Sequence, residues 1–315
     1  MSSDPTLFKS VFNRDPLDTP MPDHPPEDST PFNLPIVLDL PVFFHPTVSP
    51  DLARFDGPVP SKDIQSNPVI QQPPGQAHGV TSQGFFPTVG RLYILNGTEW
   101  QHGTAQFVGS PDVILTAAHC VFDTWSGRFF DDALFYANYA DGHYTSGHRW
   151  QCAAVYNGWA QGDWYYDFAF IKLRTPSPGT TLLGLQPNSG REPMTSVGYP
   201  ENYDGGRSAF YVNGPIGPVP VAVSGEYPGI LIMQQNDFQG GSSGGAWVYD
   251  QYAESINSFR IPGCKFETTM CGPQFGPSTQ KLYQYVNNKC RPVLSDSALP
   301  LAAGDACVRP SALKK

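Results

Sequence analysis

Glycine and proline interrupt this sequence more often than a helical fold tolerates. The 315 residues include 31 glycines and 33 prolines, about one residue in five. Proline removes a backbone donor and glycine weakens helix interiors, so long helices are disfavoured. The chain is long enough for one large domain or two small ones. This composition predicts a turn-rich β protein.

Short runs of β-forming residues lie between the turn residues from about residue 85 onward. Strands at this spacing, separated by glycine and proline turns, predict an all-β barrel or sandwich. The runs are residues 90–95, 104–108, 113–116, 168–173, 230–233 and 246–249. One helix is expected near the end of the chain, where Ser278 can cap it. Leu282, Tyr285, Val286 and Lys289 lie near one face of that helix.

Charge and hydropathy limit the partners of this chain. The formal net charge is −9 at pH 7, and an acidic chain binds nucleic acid poorly because phosphate contacts need clustered cations. No apolar run approaches the roughly 18–20 residues that span a bilayer. We therefore expect no nucleic-acid partner and no membrane insertion.

Residues 1–80 differ from the rest of the chain. Prolines recur there every few residues and block helix interiors and central strands. We expect an extended or disordered N-terminal extension, with a short apolar segment at residues 36–38 docking on the folded body. The extension is either a linker or a pro-region that covers a site, and its composition supports both interpretations. Residues 81–315 would form the main domain.

Six cysteines allow three disulfides in 15 possible pairings. They are Cys120, Cys152, Cys264, Cys271, Cys290 and Cys307. No pair has the CxxC spacing of a zinc site, and we expect neither a metal nor a cofactor. The even count favours an oxidising, extracellular compartment. Residues 1–5 show neither a basic nor an apolar signal region, so either the signal peptide is not present in this sequence or the compartment prediction is wrong; we expect the former.

Two segments place candidate catalytic side chains beside strands. His119 follows an apolar strand and two small residues in LTAAHC, which would leave its imidazole at a strand end facing a cleft. Alone, such a histidine is more often structural. Asp167 starts the alternating run DFAFIKL, where a partly buried carboxylate needs a partner. The alternative is that this carboxylate bonds its own backbone.

A glycine-rich segment, residues 241–245, supplies a candidate nucleophile. Glycines flank two serines there, so the backbone can approach a ligand and adopt strained dihedral angles. Two backbone N–H groups can then converge on one developing oxyanion. In the pattern Gly-x-Ser-Gly-Gly the nucleophile is Ser243 and not Ser242. A flexible loop is the alternative, but the strand predicted directly afterwards argues for a rigid one.

The three segments occur in the order His119, Asp167, Ser243. Together they supply what acyl transfer requires, namely a nucleophile, a base and an acid that orients the base. TAAHC, DFAFIKL and GSSGG in this order resemble the chymotrypsin-like serine endopeptidases, over roughly residues 85–290. The short spacing between Asp167 and Ser243 and the tryptophans before Asp167 are similar to the glutamyl endopeptidase branch.

This resemblance implies two packed six-stranded antiparallel β-barrels with the active site in the cleft between them. It also implies that His119 deprotonates Ser243 and that Asp167 orients the imidazole. The backbone N–H groups of Gly241 and Ser243 would hold the oxyanion. The partner would be a protein or peptide substrate, and we expect a monomer.

The chain departs from the family at two points. Trypsin-like zymogens use an aspartate just before the nucleophile to receive the freed N-terminus, but Ser242 stands here. The cysteine that usually pairs with the one after the histidine is absent from the preceding strand, so we expect Cys120 to pair with Cys152. Proximity in the chain then favours the pairs Cys264–Cys271 and Cys290–Cys307, although the sequence does not exclude the alternative pairings.

The specificity pocket is the part that the sequence determines least. Asp237 lies six residues before Ser243, where trypsin carries the aspartate that binds basic side chains. Glutamyl endopeptidase-like chains also tend to have an aspartate there, in a structural role. In the resembled branch, glutamate specificity normally uses a histidine on the pocket wall. By resemblance that wall is residues 256–260, which contain no histidine. Its candidate substrate contacts are Asn257, Ser258, Phe259 and Arg260.

Two of these wall residues have a specific expected contact. Ser258 would offer its carbonyl to a substrate that extends as an antiparallel strand. Arg260 would either attract an acidic side chain or be solvated. The sequence therefore gives no prediction of the cleavage preference.

Two other functions compete with this interpretation. A catalytically silent relative that serves as a binding protein would normally have lost a member of the triad, and none is replaced here. An esterase of another fold would show alternating strands and helices and the order serine, acid, histidine. We therefore predict a secreted serine endopeptidase.

Overall fold

The computed structural model describes residues 36–38, 75–80, 84–219, 228–261 and 268–289. Its strands within these ranges are β1 (Ile36–Leu38), β2 (His78–Gly79), β3 (Val89–Asn96), β4 (Glu99–Phe107), β5 (Val113–Thr116), β6 (Phe122–Asp123), β7 (Arg128–Phe129), β8 (Asp132–Ala137), β9 (Ser146–Tyr156), β10 (Ala169–Leu173), β11 (Gly184–Leu185), β12 (Met194–Gly198), β13 (Phe210–Gly214), β14 (Ile216–Pro218), β15 (Ile230–Gln234), β16 (Ala246–Tyr249), β17 (Tyr252–Ile256) and β18 (Thr269–Pro273). The α-helices are α1 (Asn157–Ala160) and α2 (Pro277–Lys289).

All six β runs predicted from the sequence are strands, namely β3, β4, β5, β10, β15 and β16. Two of them, β5 and β16, begin and end at the predicted residues. The remaining strands are shorter or carry more polar residues, so their periodicity is weaker in the sequence. The prediction of an all-β fold is confirmed.

A closed six-stranded barrel forms the first half of the molecule. Its strands follow the order β9, β10, β5, β4, β3 and β8, and pairing of β8 with β9 closes it. Every pairing within this ring is antiparallel. Its core includes Leu92, Phe107, Leu115 and Phe170, none of which is exposed to solvent. Burial of these side chains supplies the main driving force for closure of the barrel.

The second half is built from two sheets that continue into each other. One has the order β11, β17, β16, β12, β13 and β2, and the other has the order β14, β15 and β18. A bridge between Phe259 and Cys271 joins the segment after β17 to β18, and β13 leads directly into β14. The apolar cluster between these strands contains Met194, Val212, Met233, Phe238 and Trp247. These two sheets form the second half of the expected two-barrel fold, and we call this half the second barrel. Unlike the expected antiparallel ring, it contains a parallel pairing of β11 with β17, and no pairing among the described strands closes it.

Two short segments of the predicted N-terminal extension pair with the barrels. Strand β1 runs parallel to β9, with residue 36 beside Ala154 and residue 38 beside Tyr156. This pairing confirms the expected docking of the apolar segment. Strand β2 pairs antiparallel with β13 on the second barrel. The other residues of the range 1–74 lie outside the described part of the chain.

Helix α2 packs against β9 and β10. Leu282 and Val286 are fully buried, as expected, but the buried aromatic residue is Tyr283 rather than Tyr285. The prediction of Ser278 as the cap is wrong, because the helix begins at Pro277. Proline is favoured in a first helical turn, where its missing N–H costs no hydrogen bond. Neither helix in the described ranges is long and apolar enough to cross a membrane.

The cysteine pairing expected from the sequence is wrong for two of the three pairs. Cys120 and Cys271 both carry buried thiols, so neither the Cys120–Cys152 nor the Cys264–Cys271 disulfide is formed. Cys264, Cys290 and Cys307 lie outside the described residues. Proximity in the chain does not set the distance and direction between two Cβ atoms, which decide whether a disulfide can form.

Candidate active site

His119 and Asp167 meet because the strands that lead to them are neighbours. His119 lies in the 3-10 turn that follows β5, and Asp167 directly precedes Phe168 and β10. β5 and β10 pair antiparallel, with Thr116 opposite Ala169. The His119 Nδ1 and Asp167 Oδ2 atoms are 2.8 Å apart, and the His119 backbone N–H donates to Asp167 Oδ1 at 2.8 Å. Both carboxylate oxygens of Asp167 are therefore engaged.

This pair is shielded from water, which strengthens the interaction between its members. Asp167 is 0% and His119 5% exposed. Burial lowers the pKa of His119, but the Asp167 carboxylate and, to a smaller extent, Cys120 raise it, so that the pKa lies well above its usual value. The arrangement fixes the orientation of the imidazole and stabilises its protonated form.

A third side chain completes the surroundings of Asp167. The Ser258 hydroxyl donates a hydrogen bond to Asp167 Oδ2. Ser258 follows β17 of the second barrel, so this contact crosses the interface between the barrels. The sequence assigns only the backbone carbonyl of Ser258 to a site contact and misses its side chain. No local pattern identifies this contact, since the two residues belong to different barrels.

Aromatic rings form the wall beside His119. The Trp159 ring lies 6.4 Å from the His119 imidazole and 5.4 Å from the Trp164 ring, measured between centroids. Trp164 in turn packs on Phe259, at 4.3 Å between ring centroids. Phe259 thus connects the segment after β17 to the tryptophans before Asp167. These contacts explain why the segment before Asp167 is rich in aromatic residues.

The loop that carries Ser243 packs directly on the segment that carries His119. The Ser243 carbonyl accepts a hydrogen bond from the Thr104 N–H at 2.8 Å, and the Cys120 thiol lies 3.8 Å from the same oxygen. Ser243 is half-buried, whereas Ser242 is 1% exposed and its hydroxyl donates to the Gln239 carbonyl at 2.7 Å. Of the two serines, Ser243 is the one whose side chain has access to solvent.

The backbone of this loop presents donors without partners. Within the described part of the chain, the N–H groups of Gly241 and Ser243 make no hydrogen bond. Gly241 has φ +80° and Gly244 has φ +85°, a region that favours glycine. A Cβ atom on Gly244 would overlap the Thr116 hydroxyl and the Thr104 carbonyl. The glycines are therefore required by close approach as well as by conformation.

Two polar side chains of the first barrel hold the loop across the interface. The Thr104 hydroxyl donates to the Gly241 carbonyl at 2.8 Å. The Gln106 amide donates to the Gly244 carbonyl at 3.0 Å and accepts from the Ala246 N–H at 3.0 Å. The sequence analysis missed both residues. The signal that could have identified them is that Thr104 and Gln106 are polar residues within the predicted strand run 104–108, because a buried polar side chain needs a partner.

Asp237 and Arg260, two residues expected to contact the substrate, lie close to each other. The Tyr203 hydroxyl donates to Asp237 Oδ2 at 2.6 Å, and burial with the nearby carboxylate raises the pKa of Tyr203 to about 12. Arg260 Nη2 donates to the carbonyls of Asn236 at 3.2 Å and Phe238 at 2.7 Å. Burial lowers the pKa of Arg260, and Asp237 acts in the opposite direction. Arg260 is therefore bound to the segment that contains Asp237.

Asn257 does not line the pocket as expected. Its side chain is fully buried and its amide is hydrogen-bonded on both sides. Of the other three residues expected in the wall, Ser258 contacts Asp167, Phe259 packs on Trp164 and Arg260 binds two backbone carbonyls. Asn257 lies behind them because it faces the interior of the second barrel.

Residues 103–254 match the family model of the trypsin-like peptidase domain. No curated protein sequence matches the chain. Similar solved structures include the protease Anisep from Arthrobacter nicotinovorans, with 22% identity, a TM-score of 0.55, and coverage of 66% of this chain and 97% of that chain.

Two further similar structures have the same fold. A thermostable serine protease, AL20, from an extremophilic microorganism has 24% identity and a TM-score of 0.57, covering 65% of this chain and 98% of that chain. A Glu endopeptidase has 20% identity and a TM-score of 0.56, covering 67% of this chain and 95% of that chain. At these identities the likeness establishes the fold.

Proposed function

Because residues 103–254 match the family model of the trypsin-like peptidase domain and the fold is similar to those of solved serine proteases, we propose that this protein is a serine endopeptidase that works through an acyl-enzyme. The observation that carries the proposal is the buried His119–Asp167 pair. The segment with His119 packs against the Ser243 loop, in which the N–H groups of Gly241 and Ser243 make no hydrogen bond within the described part of the chain. A base held by a carboxylate beside an oxyanion site is the arrangement that acyl transfer requires.

In the proposed acylation step, His119 takes the proton of the Ser243 hydroxyl while Oγ attacks the scissile carbonyl carbon. The N–H groups of Gly241 and Ser243 hold the oxyanion of the tetrahedral intermediate. The C–N bond then breaks, and the proton passes from His119 to the leaving amine. Asp167 keeps the imidazole in the required tautomer and stabilises its cation.

Deacylation repeats these roles with water as the nucleophile. His119 takes a proton from water, the new C–O bond forms, and the ester bond to Ser243 breaks. The proton returns to Ser243 Oγ, and a carboxylic acid leaves. No cofactor or metal enters either step.

Covalent labelling with a fluorophosphonate, read by intact mass, tests this proposal. We expect one adduct on the parent protein and none on Ser243→Ala. Ser242→Ala is the matched control, because its hydroxyl is bonded within the loop, and we expect it to be labelled like the parent. Hydrolysis of an unstructured protein by the same samples checks that labelling reports turnover.

Each outcome of this experiment decides between functions. An adduct that appears only after limited proteolysis near residue 80 would identify the N-terminal extension as an inhibitory pro-region. The absence of an adduct under either condition would exclude the proposed function and favour a catalytically silent binding protein.

We further propose a preference for substrates with an acidic side chain before the scissile bond. Asp237 accepts the Tyr203 hydroxyl and has Arg260 nearby, so its charge is compensated and a basic substrate side chain would meet a second cation. A carboxylate would instead meet the Arg260 guanidinium, which suits carboxylates geometrically. This argument disfavours the trypsin-like preference that Asp237 alone suggests.

A peptide library that varies this position tests the preference. We expect cleavage after glutamate or aspartate, and a loss of at least tenfold in this preference for Arg260→Gly. Asp237→Asn should retain it. Cleavage after lysine or arginine by the parent protein would contradict the assignment, as would an unchanged profile in Arg260→Gly.

Secretion stays a prediction that rests on the cysteine count. Cys120 and Cys271 keep their thiols, whereas Cys152 is disulfide-bonded. Alkylation before reduction, followed by mass mapping of the protein from its native source, measures which cysteines are oxidised. Six reduced cysteines would contradict an oxidising compartment.

A further inference from the structure

Asn257 lies between the pocket wall and the glycine-rich loop, and none of it is exposed. Its Oδ1 accepts hydrogen bonds from the Ser196 hydroxyl at 2.8 Å and the Trp247 indole N–H at 2.7 Å. Its Nδ2 donates to the carbonyls of Val197 at 3.2 Å and Ser242 at 3.3 Å. Donors on one side and carbonyls on the other fix the orientation of the amide.

The backbone of Asn257 holds the same loop. The Gly244 N–H donates to the Asn257 carbonyl at 2.8 Å, and the Asn257 N–H donates to the Gly245 carbonyl at 2.8 Å. Together with the side-chain bond to Ser242, these hydrogen bonds hold the loop on both sides of Ser243. Asn257 therefore makes three hydrogen bonds to the four residues that surround and include the candidate nucleophile.

The side-chain bond acts on a particular peptide unit. The Ser242 carbonyl and the Ser243 N–H belong to the same planar trans peptide, in which the two groups point in opposite directions. A donor that holds the carbonyl from the buried side turns the N–H away from Asn257, toward the cleft. The Gly245 N–H bonds the same carbonyl at 3.0 Å, but among the described residues Asn257 is the one side chain that does so.

The neighbouring peptide unit is held by backbone alone. The Glu201 N–H donates to the Gly240 carbonyl at 2.7 Å, and that carbonyl shares its peptide with the Gly241 N–H. A side-chain substitution cannot remove this bond. The two candidate oxyanion donors are thus held from behind by different groups, and only the one at Ser243 depends on a side chain.

We propose that Asn257 is a positioning residue that sets the direction of the Ser243 N–H in the oxyanion hole. This inference rests on the proposed serine endopeptidase function. Asparagine suits the position because one amide supplies both an acceptor for Trp247 and Ser196 and donors for two carbonyls. Aspartate has the same shape but no donor when ionised, and it would place a carboxylate against the carbonyls of Val197 and Ser242.

The test compares Asn257→Asp with Ser196→Ala, which removes a donor to Asn257 but no contact to the loop. Steady-state kinetics on a peptide substrate and affinity for a peptide boronic acid, which forms a tetrahedral adduct, are measured for both. We expect Asn257→Asp to lower kcat at least tenfold with KM within about threefold of the parent. Boronate affinity should fall in parallel with kcat, while Ser196→Ala stays within about threefold in all three quantities.

Thermal unfolding shows whether each variant is folded. If Asn257→Asp does not fold, Asn257→Ser, which is smaller, carries the same expected loss of kcat. Parental kcat and boronate affinity in a folded Asn257 variant would overturn the inference while leaving the proposed function intact. A parent protein without activity or adduct would overturn both.

Discussion

Ser258 donates its hydroxyl hydrogen bond to the oxygen of Asp167, Oδ2, that also lies 2.8 Å from His119 Nδ1. The two residues are 91 positions apart and belong to different barrels. The contact joins the halves of the molecule at the carboxylate that orients the candidate base. It therefore couples the packing of the barrels to the geometry of the site.

Removal of this hydroxyl should reduce activity without abolishing it. In Ser258→Ala, Asp167 loses a donor to its charged oxygen, a bond worth roughly 1.5–3 kcal/mol. We expect kcat/KM to fall roughly ten- to hundredfold. Kinetics on a peptide substrate measure this effect, with Ser258→Thr as the control that keeps a hydroxyl. Equal activity of the alanine and parent proteins would contradict a role for this bond.

The pH dependence should show the effect of Asp167 on His119. Burial lowers the pKa of His119, but Asp167 and Cys120 together raise it above its usual value, and only the neutral imidazole can accept the Ser243 proton. The rate should therefore still be rising at pH above ~6.5. Measurement of kcat/KM from pH 5 to 10 checks this expectation, and a half-maximal rate at or below the usual value would contradict it.

Substitution of Asp167 should shift the acidic limb of the pH–rate profile, where the rate rises as His119 loses its proton, to lower pH. In Asp167→Asn the carboxylate charge, which is the largest influence raising the pKa of His119, is absent, so this pKa should fall. The residual rate will be low because the imidazole loses its orienting partner. Its acid limb should nevertheless lie at lower pH than in the parent, and an unchanged limb would show that another group titrates.

Gly241→Ala should lower both stability and activity by more than backbone strain alone accounts for. Gly241 has φ +80°, and a Cβ there would overlap the His102 ring and the Tyr199 carbonyl. Gly97→Ala is the matched control, since Gly97 has φ +64° and nothing within 4 Å of an added Cβ. We expect roughly 1 kcal/mol of destabilisation from strain in the control and parental activity.

The outcome is read from thermal unfolding and kcat/KM together. Gly241→Ala should lower the unfolding temperature further than Gly97→Ala and reduce kcat/KM at least a hundredfold, because the shifted loop misplaces an oxyanion donor. Similar activity in the two variants would show that the loop absorbs the added methyl group.

Gly103→Cys should form a disulfide with Cys120. A Cβ at Gly103 would lie 3.1 Å from Cys120 Sγ, close to the roughly 3 Å between a Cβ and the far sulfur of a disulfide. Closing this short loop should stabilise the fold by about 3 kcal/mol. Thiol titration and unfolding with and without reductant measure the effect, with Gly103→Ser as the control. Under oxidising conditions, the same number of titratable thiols in Gly103→Cys as in the parent plus one would contradict the geometry.

Much of this molecule could be predicted from local patterns. Val113–Thr116 and Ala246–Tyr249 appear as strands with the expected ends, because continuous apolar runs bounded by turn residues are encoded by neighbouring residues. His119 and Asp167 were identified by their positions beside such runs. The helix start was misplaced at Ser278, since the sequence gives two adjacent residues that suit a first turn.

The cysteine pairing and the side chains that line the pocket could not be predicted from local patterns. Cys120 keeps its thiol, and Asn257 is buried instead of facing the pocket. Both errors arise because chain proximity does not report the direction of a side chain. Direction depends on the register of strands that are far apart in the sequence.

Six of the strands, the all-β class and the residue types that acyl transfer needs follow from the amino-acid sequence, since each is carried by a short segment. How these segments are held is set by contacts that form in the folded molecule: Ser258 donates to Asp167, Thr104 donates to the Gly241 carbonyl, and Asn257 donates to the Ser242 carbonyl. Each of these bonds joins residues that meet only after the barrels close and pack. Buried polar groups must find partners wherever the closed fold brings them, and no local pattern specifies which partners those are.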